Sequence, residues 1–276
     1  YHPPNLGAIS GNDLEFLELK NTGTNTLDLS GLTFTRGITF TFTNGTLLGP
    51  GQFFVLVRNP AAFAVKYPGV AVQGAYTGQL DNAGERLQLS HPLGATVFSV
   101  TYGDRLPWPV LPDIADFSLV PRNPAGATTP DDGANWRAST HPGGSPGADD
   151  PPPTVPPIVI NEILTRPIPP QLDAIELFNP TADAVDLSGW FLSDDPAQPR
   201  KYRMPDNTTI AAGGYLVFDE NDFNPTPGVG GSFALDSTGE QVHLFAATRA
   251  GDFIGYSHGV DFGAALRGVS FGRFVN

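Results

Sequence analysis

Two glutamate and asparagine pairs are the residues of this chain best suited to chemistry. Glu18 stands three residues before Asn21 in "ELKN", and Glu176 three before Asn179 in "ELFN". A carboxylate beside an amide can hold and orient a water, the first requirement of general-base hydrolysis. The same residue types also satisfy main-chain groups at strand ends, because a buried polar group is tolerated only when it is paired. The pair occurs twice in the chain, and a duplicated place in a fold points to a folding requirement more directly than to one active centre. A second pattern, "GVSFG" at Gly268 to Gly272, matches the GxSxG nucleophile elbow. That elbow works on a strand-turn-helix junction with a histidine and an acid supplied later in the chain. Four residues follow it, none of them histidine. Ser270 therefore reads as an ordinary strand residue, and a hydrolase is only a remote alternative.

The other chemically capable residues are scattered. His2, His91, His141, His243 and His258 show no ligand spacing, which argues against a histidine zinc site. Asp194 with Asp195, and Asp219, Glu220 and Asp222, offer the hard oxygen ligands that calcium prefers. Neither cluster has the glycine at position six and the glutamate at position twelve of an EF-hand loop, and solvated loops account for both. No catalytic, cofactor-binding or metal-binding residue is therefore assigned, and no cofactor is expected, calcium being the metal for which ligands exist. Two sequons, at Asn44 and Asn207, lie at nearly equivalent places before a strand, where asparagine also serves as a turn residue. Tyr76, Tyr102, Trp108 and Tyr256 are the aromatics that, if exposed, would make a carbohydrate platform.

The elements that position these residues are repeated. Without a gap, "EFLELKNTGTNTLDLSGL" (Glu15 to Leu32) aligns with "DAIELFNPTADAVDLSGW" (Asp173 to Trp190) at an offset of 158, with seven identities in eighteen positions. Ile175 and Leu177 alternate with Glu176, and Val185 and Leu187 alternate with Asp186, the period-two pattern of half-buried strands. Between them "NPTADA" supplies turn chemistry, and Gly189 marks a bulge or a close backbone approach. "QFFVLV" after Gly49 to Gly51 reads as a strand buried between two sheets. "PAAFAVKYPG", Pro60 to Gly69, reads as a short helix with proline in its first turn. "ERLQLSHPLGATVFSV" reads as a hairpin turning at Pro92 to Gly94, and its preceding "DNAGE" matches "DSTGE" at Asp236 to Glu240. "FSLVP", Phe117 to Pro121, corresponds to "VSFGR" in the second copy.

The strand "ExiELxN" followed by "vDLSGW" resembles the lamin-tail domain, an immunoglobulin-like module named from nuclear lamins and found in many exported bacterial proteins. In the second copy the resemblance continues through "KYRMPDNTTIAAGGYLVF", "DSTGEQVHLF" and "GVSFGRF". It implies an all-β fold of two tandem immunoglobulin-like β-sandwiches joined by a Pro-rich linker. The expected boundaries are a first domain at 1–141, a linker at 142–157 and a second domain at 158–276. From His141 to Pro157, seven of seventeen residues are proline, so this segment is expected to be semi-rigid and partly extended. The second copy opens with the alternating strand "IVINEIL", Ile158 to Leu164, and nothing before Tyr1 plays that part. The first domain is thus expected to carry an unfilled sheet edge, unless residues 1–10 or a loop cover it.

Bulk composition narrows the function classes. The chain has 276 residues with 32 Gly, 28 Pro and 19 Phe, a turn-rich β composition. Its net charge of −13 is spread over both halves, 8 basic against 13 acidic residues in 1–150 and 7 against 15 in 151–276. Duplex nucleic acid normally needs clustered Lys and Arg, so no nucleic-acid partner is expected. The absence of cysteine excludes disulfides, thiol catalysis and Cys-ligated zinc. No apolar run approaches the roughly 20 residues that span a bilayer, so no membrane insertion is expected. The chain starts without methionine and reads as an excised piece of a longer protein. The resulting expectation is a non-catalytic structural or interaction module of a larger exported or cell-surface bacterial protein, mediating adhesion, protein contacts or domain spacing. The alternative is a glycan-binding accessory module, with calcium ordering a loop.

Overall fold

The alternating stretches form strands in both copies, and the computed structural model describes residues 1–126 and 129–273. The chain divides into two units, Tyr1–Pro152 and Pro153–Asn276. In the first unit the strands are β1 (Phe16–Lys20), β2 (Leu27–Asp28), β3 (Thr33–Arg36), β4 (Phe40–Thr41), β5 (Leu47–Leu48), β6 (Phe53–Val57), β7 (Gly74–Ala75), β8 (Arg86–Ser90), β9 (Thr96–Thr101), β10 (Leu119–Pro121) and β11 (Trp136–Ala138). Two short helices, α1 (Pro60–Lys66) and α2 (Leu111–Ile114), lie between them. One sheet has the order β1-β6-β7 and the facing sheet β4-β3-β8-β9, with β2-β5 and β10-β11 as two-stranded additions. Phe54 and Leu56 of β6 meet Phe34, Leu87, Leu89 and Val100 of the facing sheet in one core, the arrangement of a sandwich.

Strand β6 is apolar throughout because both its faces are covered. Phe54 and Leu56 fill the sandwich, while Val55 and Val57 point outward against Phe63 of α1. Asn59 caps that helix, its side-chain oxygen accepting from the amides of Ala61 and Ala62, and Pro60 occupies the first turn. The hairpin expected at Pro92 to Gly94 is β8-β9.

The second unit contains β12 (Val159–Leu164), β13 (Ala174–Phe178), β14 (Val185–Asp186), β15 (Phe191–Ser193), β16 (Tyr202–Arg203), β17 (Thr209–Ile210), β18 (Tyr215–Asp219), α3 (Glu220–Phe223), β19 (Glu240–Ala247), β20 (Phe253–Phe262) and β21 (Phe271–Gly272). Its sheets run β18-β13-β12-β21 and β16-β15-β19-β20, with β14-β17 beside them. Ile160, Ile163, Ile175, Leu177, Leu192, Val242 and Leu244 form the centre of its core. Strand β13 answers to β1, and β18 to β6. Among the described residues of the first unit no strand pairs with β1 as β12 pairs with β13.

The boundary between units falls inside the segment expected to be linker, because residues 142–152 are held on the first unit. Tyr67 donates its hydroxyl to the Gly143 carbonyl at 2.8 Å, and Lys20 pairs with Asp149. Asp150 accepts from Arg137 at 2.6 Å, from the Thr140 amide and hydroxyl, and from the Ser145 hydroxyl. With side-chain exposures of 13% for Arg137 and 4% for Asp150, this is a buried ion pair whose carboxylate is fully bonded, the condition under which such a pair is tolerated.

Candidate functional site

The glutamate and asparagine pairs sit at the ends of β1 and β13, and strand geometry separates their members. Residues three apart in a strand point to opposite faces. Glu18 projects outward beside Phe16, whereas Asn21 turns inward and is 1% exposed. The Asn21 amide nitrogen donates to the carbonyls of Asn25 and Leu48 at 2.8 Å each, and its oxygen accepts from the Gly23 amide at 3.0 Å. Asn179, fully buried, donates to the carbonyls of Asp183 at 2.8 Å and Ala211 at 2.9 Å. Its oxygen accepts from the Thr181 amide at 2.9 Å and the Thr181 hydroxyl at 2.7 Å. Both asparagines thus bind the turn leaving their own strand to a neighbouring strand. The bonding capacity of the Asn179 amide is spent on protein, and buried Asn21 spends both donors and one acceptor position on the backbone.

The glutamates are engaged elsewhere. Glu176 accepts from the Asn161 amide of β12 at 2.7 Å. Glu18 accepts from the Gly147 amide at 2.9 Å, and burial beneath residues 142–150 raises its pKa to about 7, with Asp149 and Asp150 adding to the rise. Nearby Glu15, 1% exposed, holds the Tyr76 hydroxyl and the Leu80 amide. Burial, the largest cause, raises its pKa too.

The repeated "DLSG" has an equally structural explanation. Asp28 and Asp186 each accept from the amide two residues on, at 2.9 Å, closing an Asx turn. Ser30 and Ser188 accept from the amides of Gly45 and Asn207. Gly189 adopts φ +85°, and a Cβ there would lie 2.5 Å from the Thr248 carbonyl oxygen. Only glycine fits this crossing.

The remaining candidates do not assemble. Ser270 precedes β21 and donates to Glu162 at 2.5 Å; no histidine bonds to it among the described residues. His2 meets Asp113 at 2.8 Å, and His91 accepts from the Leu93 amide; His141 lies exposed where residues 142–150 begin. His243 is buried against Phe245 and bonds Gln241, while His258 accepts from the Ile160 amide at 3.2 Å. Burial lowers both to a pKa of about 4, so they stand neutral. Asp194 pairs with Lys201, Asp195 closes a turn onto Ala197, and Asp219 with Asp222 forms a capping box on α3. Among the described residues no group of three acidic or histidine side chains is arranged to hold a metal ion.

The aromatics suggested as a carbohydrate platform are placed differently. Tyr76, Tyr102 and Trp108 are buried in the first core, and Tyr256 donates its hydroxyl to the Ile158 carbonyl. Their rings supply core volume to this short-stranded unit. Among the described residues the exposed aromatics include Phe98 of β9 and Tyr215, 58% accessible, which packs on Phe178 at 4.8 Å. Alternation in "GYLVF" carried that signal, since Tyr215 shares the outer face with Val217. A concavity of the second unit, about 680 Å³, is open and includes the Asp186–Arg249 ion pair and Trp190. Hydrogen bonds from Ser188 and Arg249 hold Asp186 down at a pKa of about 2, which makes it a poor proton acceptor.

The geometry repeated in the two units matches one family model, the lamin tail domain, over residues 4–104 and again over 151–258. The chain belongs to the lamin tail domain family. It carries two tandem copies of the domain, as the repeated strand pair implied. No curated protein and no solved structure matches the chain. The asparagine of "ELxN" and the aspartate and glycine of "DLSG" are thus seen here as the turn fasteners of two lamin tail domains. Among the described residues no helix is long and apolar enough to cross a membrane.

Proposed function

We propose that the tandem lamin tail domains act as a non-catalytic structural or interaction module of a larger exported or cell-surface protein of bacterial type, serving protein contacts, adhesion or the spacing of neighbouring domains. The observation that carries this reading is the burial and engagement of Asn21 and Asn179: the residues most able to do chemistry donate both amide hydrogens to backbone carbonyls and accept from the following turn in both copies. A hydrolytic or binding site keeps polar atoms free for its ligand.

A second reading, glycan binding, is favoured by one feature, Phe178 packed at 4.8 Å against exposed Tyr215 with Glu176 and Asn161 on strands of the same sheet. A thermal-shift screen of the whole chain against a glycan library and calcium, run beside chromogenic ester and glycoside assays, separates the two. The interaction-module reading expects neither turnover nor a shift. A ligand at about a hundredfold excess over its Kd stabilises the folded state by roughly 2.7 kcal/mol, so a glycan shift abolished by Tyr215→Ala would replace it with the second reading.

A further inference from the structure

Strand β12 is fastened by a side chain at a point that its neighbouring strand does not reach. It pairs with β13 from Val159 to Leu164, whereas β21 meets it on the other side at Glu162 and Ile163, and the Arg273 amide extends that contact to the Asn161 carbonyl. The Ile160 amide lies beyond the end of this shorter ladder. Its acceptor is Nδ1 of His258, 3.2 Å away on β20 of the other sheet. Two residues earlier on each strand, the Tyr256 hydroxyl donates to the Ile158 carbonyl at 2.8 Å. These two bonds, each linking residues 98 apart in the sequence, join the sheets along one margin of the second sandwich.

Alternation along β20 puts Tyr256, His258 and Val260 on one face, and Tyr256 and Val260 pack against the core. His258 is half-buried between them, across from the buried Ile158 and Ile160. An imidazole accepts at Nδ1 only as the neutral ring protonated at Nε2. A proton on Nδ1 sets one donor against another. The groups facing His258 do not compensate its charge: Arg273 and His243 both oppose it, the Tyr256 hydroxyl is directed at Ile158, and among the described residues no carboxylate bonds the ring. His243 differs in both respects. It is fully buried, so a proton reaches it only when the fold opens, and Asp194, Asp195 and Asp261 surround it with negative charge. Solvent protons reach the half-buried His258 in the native fold.

We propose that His258 is an acid-released clasp: protonation at Nδ1 withdraws the acceptor from the Ile160 amide and frees the Ile158 to Ile160 end of β12 from β20, while each sheet keeps its own ladder. The event is a local opening of one margin, of the kind amide exchange resolves from global unfolding. It exposes two isoleucines that are buried at neutral pH and slackens the stretch that leads into the second unit. Histidine is the side chain suited to such a switch, because environment moves its charge change through the mildly acidic range. The device goes beyond the interaction reading above and stands whether or not that reading does.

The test is residue-resolved amide exchange on the intact chain, expressed as protection over the unstructured rate so that the pH dependence of exchange itself cancels. The released ring takes the ordinary histidine pKa of 6.5 and the clasped ring one of about 4, lowered by burial first and then by Arg273 and His243. A lowered folded value means the clasp is complete above 6.5 and is lost as pH falls through 4. With those values the opening equilibrium of Ile160 rises on the order of a hundredfold between about pH 7 and pH 4, and its protection falls by that factor, ahead of Leu244 in the β15-β19-β20 ladder. His258→Asn places a non-titrating Oδ1 near the position of Nδ1, so it keeps Ile160 protected across the range, while His258→Phe leaves Ile160 unprotected at both ends. On the unsubstituted protein, imidazole nitrogen shifts should show the Nε2–H tautomer at neutral pH and a titration midpoint that coincides with the loss at Ile160. Constant protection of Ile160 down to pH 4, an equal fall at Leu244, the same acid loss in His258→Asn, or a ring protonated at Nδ1 at neutral pH would each overturn the proposal.

Discussion

Replacing Asn179 by alanine tests whether the "ELxN" asparagine belongs to the fold or to a site. The substitution removes four side-chain hydrogen bonds of 2.9 Å or shorter: two donated to the carbonyls of Asp183 and Ala211, and two accepted from the amide and hydroxyl of Thr181. At about 1 kcal/mol net for each bond, and more where a carbonyl is left buried without a partner, the loss is about 4 kcal/mol. With a urea dependence of about 2 kcal/mol per molar, the midpoint of the second unit falls by about 2 M. Urea titration read by Trp190 fluorescence measures it. Asn21→Ala removes three bonds in the first unit and costs about 3 kcal/mol on the same basis, read by Trp108 and Trp136. Asn179→Asp keeps the acceptor half but sets an anion against two carbonyl oxygens. It is therefore destabilised at neutral pH and recovers stability on acidification, as protonation restores a donor. A residue held for function at the expense of stability behaves oppositely, since its removal is neutral or stabilising. A loss below about 1 kcal/mol in both units would refute the assignment, since it is no more than a single net hydrogen bond.

Asp150→Ala strips Arg137, Thr140 and Ser145 of a shared buried acceptor. It should cost the first unit about 3 to 5 kcal/mol, the range for breaking a buried pair; a chain ending at residue 141 should melt well below one ending at 152 by calorimetry. Burial holds His243 and His258 at a pKa of about 4, below the ordinary 6.5. The unfolded state then binds more protons, so their contribution is complete above pH 6.5 and is lost as pH falls toward 4. Glu240 at about 7 and Asp173 at about 6, both raised first by burial, work in the opposite sense and gain stability as pH falls below those values. His243→Phe should therefore make the second unit more acid-resistant by about 1 to 3 kcal/mol between pH 6.5 and 4, as read from urea midpoints across that range. An unchanged pH profile would show His243 to be charged or accessible in the native fold. Gly189→Ala forces a Cβ to 2.5 Å from the Thr248 carbonyl oxygen at φ +85° and should lower stability by several kcal/mol, on the order of 3, whereas Gly213→Ala, at φ +61° in open space, should cost only about 1.

Local pattern alone determined much of this protein. The alternation of Ile175, Glu176 and Leu177 set a strand with two unlike faces, and the same period puts Glu176 and Asn179 on opposite faces, which already disfavours a shared water. Pro60 after Asn59 set a helix start, and Asp186 two residues before Ser188 set an Asx turn. These depend on backbone period, fixed φ and side chains that reach only a few residues, so they are legible without a fold. The seven repeated identities then gave the family and the tandem order.

What the tertiary structure decided depends on segments far apart in the chain. Gly147 reaches Glu18 across 129 residues, and no local feature of "HPGGSPGADDPPP" distinguishes a free linker from a segment fastened over a sheet. Tyr76, Tyr102 and Trp108 fill a core, while Tyr215, in an ordinary strand, is left in the open. Each strand period says which residues share a face; which face is covered, and whether β1 has a neighbour on its second edge, is fixed only when distant segments compete for the same surface.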